Sequence, residues 1–162
     1  MVTGQQLASK AIELLNGEII YYSEAKMKEA GDSGKLCRDC QGFMEYIVQQ
    51  CGGSMNYLGS NDMFRHACSW VGTIAEAKKL GYLVKGCALF ILEHDGAEPA
   101  KYRADGIGNA SHVGMYIGEK AYYDAEKKRL CSVAHSSASR GKVCGSTLQN
   151  AWTHVGQRLC AD

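Results

Sequence analysis

The sequence has little proline, almost no net charge and no long apolar run. Pro99 is the only proline among 162 residues, and the formal net charge is +1. Without a linker, repeat or low-complexity stretch to divide it, the chain is expected to form a single domain over residues 1–162. The balanced charge gives no electrostatic reason to expect a nucleic acid partner. No apolar run is long enough to cross a bilayer, so we expect no stable membrane insertion. The oligomeric state is left open.

The first residues of the chain also lack the basic region and following apolar core that a secretory signal needs. This absence favours synthesis in a reducing compartment, where the eight cysteines would be mostly reduced and buried. An even number of cysteines is compatible with disulfides as well, if the protein works outside a cell. Both states of the thiols therefore stay open.

The apolar pattern predicts helices early in the chain and strands late. Helical spacing covers Gln5–Leu15, and a second helix is expected to begin near Cys40 and to end at residues 51–53. Short helices and loops are expected over Asn56–Leu80. Short β-rich runs follow at Cys87–Leu92, His112–Ile117, Ala121–Ala125 and Leu130–His135. This order predicts an α+β domain with an antiparallel sheet.

The stretch CRDCQGF, residues 37–43, contains the chain's one C-x-x-C pair. A structural zinc site needs four ligands, usually as two short pairs, and the other cysteines and histidines form no second pair. A thioredoxin-like redox couple would follow a strand in a βαβ pattern, which is absent here. Neither metal binding nor redox exchange is therefore favoured, and no metal is expected.

A nucleophilic cysteine agrees better with the local pattern. Cys40 begins a predicted helix, where unpaired N–H groups favour a thiolate and are expected to lower the thiol pKa from about 8.5. His112 opens one predicted strand and His135 closes a neighbouring one. Side chains on adjacent antiparallel strands can meet on one face of a sheet, so the two rings are candidates for a base and its orienting partner.

Three short motifs, in this order along the chain, resemble the signature of a known family. DCQGF (residues 39–43), SHVGMYIG (residues 111–118) and VAHSS (residues 133–137) together resemble the signature of the NlpC and p-sixty family of papain-like cysteine peptidases. The sequence departs from the family pattern at Gln41, where a serine is usual, and at Lys85-Gly86-Cys87, where a P-G-D turn is usual. The interval between His112 and His135 is also longer than usual.

The resemblance implies a papain-like α+β fold and a set of residue roles. Cys40 would be the nucleophile and its backbone N–H an oxyanion donor, His112 the general base, and His135 the residue that orients the His112 ring. Residues expected near the substrate are Asp39, Gln41, Tyr22 and Ser111. No metal or organic cofactor is required.

The implied substrate is the stem peptide of bacterial peptidoglycan, cut between γ-D-glutamate and a diamino acid. An N-acetylmuramoyl-L-alanine amidase or another acyl hydrolase would use the same three residues. A non-enzymatic cysteine-rich module held by zinc or disulfides is the alternative from another class. Without an export signal, an enzyme of this kind would be made in a bacterial cytoplasm and reach the cell wall after release, as a phage or prophage lysin or an injection-associated hydrolase does.

Overall fold

The computed structural model describes residues 2–24 and 35–157, and these form five helices and ten strands. The helices are α1 (Gly4–Leu15), α2 (Cys40–Gln50), α3 (Ser60–His66), α4 (Ile74–Leu80) and α5 (Ala100–Ala104). The strands are β1 (Tyr21–Tyr22), β2 (Cys37–Arg38), β3 (Trp70–Thr73), β4 (Ala88–Glu93), β5 (Asn109–Tyr116), β6 (Tyr122–Asp124), β7 (Arg129–Cys131), β8 (Val133–Ser137), β9 (Lys142–Ser146) and β10 (His154–Gln157). None of the described helices is long and apolar enough to cross a membrane.

Eight of these strands form one sheet in the order β2-β1-β9-β8-β5-β4-β10-β3, and β6 and β7 form a separate hairpin. The pairs are antiparallel except for β1 and β2, which run parallel at one edge. A large, mainly antiparallel sheet with helices packed on it confirms the predicted α+β class. Strands β5 and β8 lie at the centre, where both faces of the sheet are covered.

Helices α1 and α2 cover one face of the sheet. Phe43, Met44 and Ile47 recur on one side of α2 and are fully buried, and they join Val113 and Met115 of β5 in the larger core cluster. Burying each such side chain stabilises the fold by about 1.5–3 kcal/mol relative to exposing it. The apolar spacing that predicts this helix is therefore the same spacing that fixes α2, and Cys40 with it, against the central strand.

A smaller apolar cluster covers the opposite face. It contains Leu89 of β4, Val133 of β8, Val155 of β10 and Ala77 of α4, together with Trp152 from the segment between β9 and β10. The turn before β4 is tight, because Gly86 has a φ of 88° and a Cβ there would lie 2.2 Å from the carbonyl oxygen of Gly4. Only glycine suits this position.

The strand predictions need three corrections. The run Leu130–His135 is not one strand, because residue 132 separates β7 of the hairpin from β8 of the main sheet. The region of short helices and loops, Asn56–Leu80, also contains strand β3. The predicted strands also omit β9 and β10, and β10 is inserted between β4 and β3. The Gly, Asp, Ser and Lys residues of Glu29–Lys35 predict a loop, and of this stretch only Lys35 is among the described residues.

The cysteines in the described part of the chain are free thiols. Cys37, Cys87, Cys131 and Cys144 are buried, whereas Cys40, Cys51 and Cys68 are partly buried. Cys160 lies outside the described residues. The two members of the C-x-x-C pair differ in position, because Cys37 belongs to β2 and its thiol lies 3.3 Å from the carbonyl oxygen of Lys35, whereas Cys40 begins α2.

Candidate active site

Cys40 is the first residue of α2, and hydrogen bonds fix the backbone before and after it. Asp39 is the N-cap, with its Oδ1 accepting a hydrogen bond from the Gly42 N–H at 2.6 Å. This contact satisfies one of the unpaired donors at the helix start. Two residues before Cys40, the carbonyl oxygen of Arg38 accepts a hydrogen bond of 2.8 Å from Ser136 Oγ on β8. The backbone just before Cys40 is thereby hydrogen-bonded to the sheet that carries the histidines.

The environment of Cys40 is less favourable to a thiolate than the sequence suggests. Burial raises the pKa of the Cys40 thiol to about 11, although backbone N–H groups of Val113, Gln41 and Cys40 itself favour the charged form. The nearby Asp39 carboxylate also raises this pKa. The expectation of a lowered pKa was wrong, because the loss of hydration outweighs the helix N-terminus.

His112 and His135 are brought into direct contact. His112 Nε2 and His135 Nδ1 are 2.8 Å apart, and the two rings are inclined at 79°. Met115 of β5 pairs with Ala134 of β8, and continuing this register places His135 opposite Gly114. The two histidines are thus diagonal neighbours on one face of the sheet. The long interval between them does not turn His135 away from His112.

The space for this pair depends on a glycine and a tryptophan. A Cβ at Gly114 would lie 2.7 Å from Trp152 Cη2 and 3.1 Å from His135 Cβ, so a larger residue would displace both rings. Trp152 stacks on His112 with centroids 5.3 Å apart, and its Nε1–H donates to Ser146 Oγ at 3.3 Å. Sequence reasoning did not find Trp152, since no local motif marks a contact made from a loop so distant in sequence.

Both histidines are neutral at neutral pH. Burial lowers the pKa of His112 to about 4. Burial lowers the pKa of His135 to about 3, and the charges of His112, Arg140 and Arg129 act in the same direction. A single hydrogen therefore joins His112 Nε2 to His135 Nδ1. This contact occupies Nε2 of His112 and leaves Nδ1 as the nitrogen that can exchange a proton with another group.

The nucleophile candidate, Cys40, contacts the backbone of the strand that carries His112. The Val113 N–H that favours the Cys40 thiolate belongs to the peptide that follows His112. Between Cys40 and His112 themselves, the described residues show no hydrogen bond. Such contacts are often long before substrate binds and shorten in the complex. The described contacts therefore place the Cys40 thiol at the peptide that follows His112, and only the two histidines are in direct hydrogen-bond contact.

Two of the residues expected near the substrate lie next to Cys40. Tyr22 on β1 is half-buried and pairs with Arg38, two residues before Cys40. Burial raises the pKa of Tyr22, and the charges of Cys40, Glu24 and Asp39 act in the same direction. The neighbouring Tyr21 instead has Lys35 over its ring, with Nζ 4.8 Å from the centroid. Tyr22 is thus the tyrosine at this end of α2.

The side chains of the other two, Gln41 and Ser111, make contacts away from Cys40. Gln41 is only 1% exposed, and its side-chain nitrogen donates to Glu45 Oε1 at 2.5 Å. This gives Gln41 a structural contact inside the helical layer and no exposed surface for a substrate. Ser111 is exposed on β5, and its Oγ lies 3.3 Å from Glu93 Oε1. Among residues 2–24 and 35–157, no three His, Cys, Asp or Glu side chains converge on a position where they could hold a metal ion.

Comparison with known proteins gives a result at the level of structure. No protein-family profile matches the sequence, and neither does any curated protein sequence. Similar solved structures include NlpC2 from Trichomonas vaginalis, with a TM-score of 0.61 and 18% identity, and NlpC1 from the same organism, with a TM-score of 0.60 and 17% identity. Each match covers 98% of this chain.

The chain has an NlpC-like fold. The similarity extends over 47% of NlpC2 and 45% of NlpC1, so the chain spans less than half the length of either structure. The NlpC-like fold agrees with the fold that the three sequence motifs imply. At this level of identity the similarity establishes the fold alone.

Proposed function

We propose that this NlpC-like domain is a cysteine hydrolase of amide bonds, with Cys40 as nucleophile, His112 as general base and His135 as the residue that orients His112. The observation that carries the proposal is the 2.8 Å contact between His112 Nε2 and His135 Nδ1, because it leaves Nδ1 of His112 available for a thiol, and the Cys40 thiol contacts the peptide that follows His112. A nucleophile, a base and an orienting group are the parts that covalent acyl transfer requires.

The first half of the reaction forms a thioester. Cys40 passes its proton to Nδ1 of His112 as its sulfur attacks the carbonyl carbon, and the backbone N–H of Cys40 at the start of α2 stabilises the developing oxyanion. The C–N bond then breaks, and the leaving amine takes the proton from His112. In the second half, His112 takes a proton from water, the hydroxide attacks the thioester, the C–S bond breaks, and the proton returns to sulfur.

The neutral state of both groups decides how the first proton moves. A thiol pKa of about 11 for Cys40 and an imidazole pKa of about 4 for His112 disfavour a stable thiolate–imidazolium pair in the free protein. Proton transfer is therefore coupled to attack on the carbonyl, so that the charge appears only as the substrate reacts. Tyr22, which pairs with Arg38 just before Cys40, would contact the substrate at this step.

For the substrate, we propose peptidoglycan stem peptides, with cleavage between γ-D-glutamate and a diamino acid. The support is the resemblance of the three motifs, combined with a fold that agrees with it. An amidase acting between muramic acid and L-alanine would use the same three side chains. The products separate the two, because the endopeptidase creates a new amino terminus on the diamino acid, whereas the amidase frees the sugar chain.

The test incubates purified peptidoglycan with the wild-type protein, with Cys40→Ala and with Cys51→Ala. Cys51 is the matched control, because it follows the opposite end of α2 and its thiol contacts the carbonyl oxygen of Gln6. Mass spectrometry of the released muropeptides is expected to show products with wild type and Cys51→Ala and none with Cys40→Ala. Equal product release by Cys40→Ala would refute the assignment of the nucleophile.

A further inference from the structure

One member of the histidine pair, His135, contacts a third side chain, Cys144, which belongs to none of the three motifs. Cys144 of β9 pairs directly with His135 of β8 across the sheet. Its Sγ lies 3.7 Å from His135 Nε2, and the residue is 5% exposed. His112, His135 and Cys144 thus form a continuous series of contacts inside the protein.

The reaction proposed above decides which atom holds each hydrogen in this series. When His112 takes the proton of Cys40, both of its ring nitrogens carry hydrogen, and its Nε2–H must donate to Nδ1 of His135. A neutral His135 then has its own hydrogen on Nε2, because Nδ1 is the acceptor. That hydrogen is directed at Cys144, which must accept it.

The surroundings of Cys144 suit an uncharged acceptor. Burial raises the pKa of its thiol, and the guanidinium of Arg140 opposes this only in part. Arg140 is itself held by Asp124, with Nη1 and Oδ2 2.6 Å apart. A neutral thiol remains, and its sulfur is a weak acceptor. Without it, the Nε2–H of His135 would lose the partner shown for it, and a buried unpaired donor is costly.

We propose that Cys144 is a positioning residue for catalysis: its sulfur accepts the Nε2–H of His135 and so keeps Nδ1 of His135 free to accept from His112. This role rests on the proposed function, since it matters only if His112 becomes protonated during the reaction. Cys144 does not touch the substrate. It selects the tautomer of His135, and through that ring the tautomer in which His112 can act as a base.

The first experiment is independent of any substrate. Nitrogen NMR of isotopically labelled histidine rings, recorded at neutral pH, distinguishes hydrogen on Nδ1 from hydrogen on Nε2. We expect His135 in the wild type to carry hydrogen on Nε2, and Cys144→Ala to shift it toward Nδ1, while Cys131→Ala leaves it unchanged. Cys131 is a matched control, being a buried thiol whose Sγ faces the carbonyl oxygen of Arg129. A wild-type His135 with hydrogen on Nδ1, or an unchanged tautomer in Cys144→Ala, would overturn the proposal.

The second experiment measures turnover of muropeptides by the same proteins and by Cys144→Ser, which retains an acceptor. We expect kcat of Cys144→Ala to fall about tenfold with KM nearly unchanged, and Cys144→Ser to recover most of the loss. Equal kcat in wild type and Cys144→Ala would contradict a positioning role. If no variant, including wild type, cleaves peptidoglycan, the substrate assignment fails, whereas the NMR result still tests the tautomer.

Discussion

The reactivity of Cys40 toward an alkylating reagent should follow an unusual pH profile. Only a thiolate reacts with iodoacetamide. A thiol pKa of about 11 leaves a thiolate fraction of about 10⁻⁴ at pH 7, whereas a free cysteine with a pKa of about 8.5 has about 3%. We therefore expect Cys40 to react about 300-fold more slowly than the same cysteine in the unfolded chain.

The shape of the profile is more informative than the rate. Because His112 is neutral above its pKa of about 4, it contributes no positive charge that would stabilise a thiolate near neutrality. The rate constant should rise about tenfold per pH unit from pH 6 to pH 9 without a plateau. Mass spectrometry of the peptide that contains Cys40 measures this rate, and the guanidinium-unfolded protein supplies the reference.

A plateau of fast alkylation below pH 7 would refute the reasoning, because it would require a preformed thiolate–imidazolium pair. His112→Ala is the informative control. If the imidazole is neutral, this variant should keep the same slope with pH. If His112→Ala lost the alkylation that wild type shows at neutral pH, the His112 ring would be charged in the free protein.

Three further outcomes follow from the site. Because His112 and His135 have pKa values of about 4 and 3 when folded and about 6.5 when unfolded, the unfolded chain binds more protons below pH 6.5, and stability falls as the pH drops. In urea denaturation, the free energy of unfolding should fall by about 4 kcal/mol between pH 7 and pH 5. In His135→Gln this fall should be about half as large. Gly114→Ala should lower the free energy of unfolding by about 1–3 kcal/mol, measured by the same method, and should abolish turnover, because the new Cβ displaces Trp152 and His135. Asp39→Ala should cost about 1 kcal/mol through the lost cap, whereas Asp39→Asn, which can still accept from the Gly42 N–H, should stay near wild type in thermal melts; equal melting of both variants would contradict the capping role.

The sequence predicted the parts of the site that depend on local spacing. The helix that begins at Cys40 and the strand that carries His112 follow from apolar periodicity and turn residues. The α+β class follows from the order of these elements. Residues that reach the site from other segments of the chain could not be predicted, because periodicity carries no information about which segments meet. Trp152 and Cys144 belong to this second group.

The prediction of a lowered thiol pKa for Cys40 failed for a different reason. A position at the start of a helix is visible in the sequence, whereas the depth of burial depends on how α2 packs on β5. Gln41 shows the same limit, since its place beside the nucleophile suggested a substrate contact and the packing directs its side chain to Glu45. Position along the chain locates a residue, but only the surrounding atoms set its electrostatics.

The insertion of β10 between β4 and β3 has a consequence for the order in which the protein folds. Strand β3 can join the sheet only after β10, which is synthesised some eighty residues later. The loop that precedes β10 also supplies Trp152, the ring stacked on His112. During synthesis, the histidine pair therefore stays hydrated and unshielded until nearly all of the described chain is available. Contacts of such long sequence separation slow folding, and they delay the shielding of the histidine pair until the last described strand has joined the sheet.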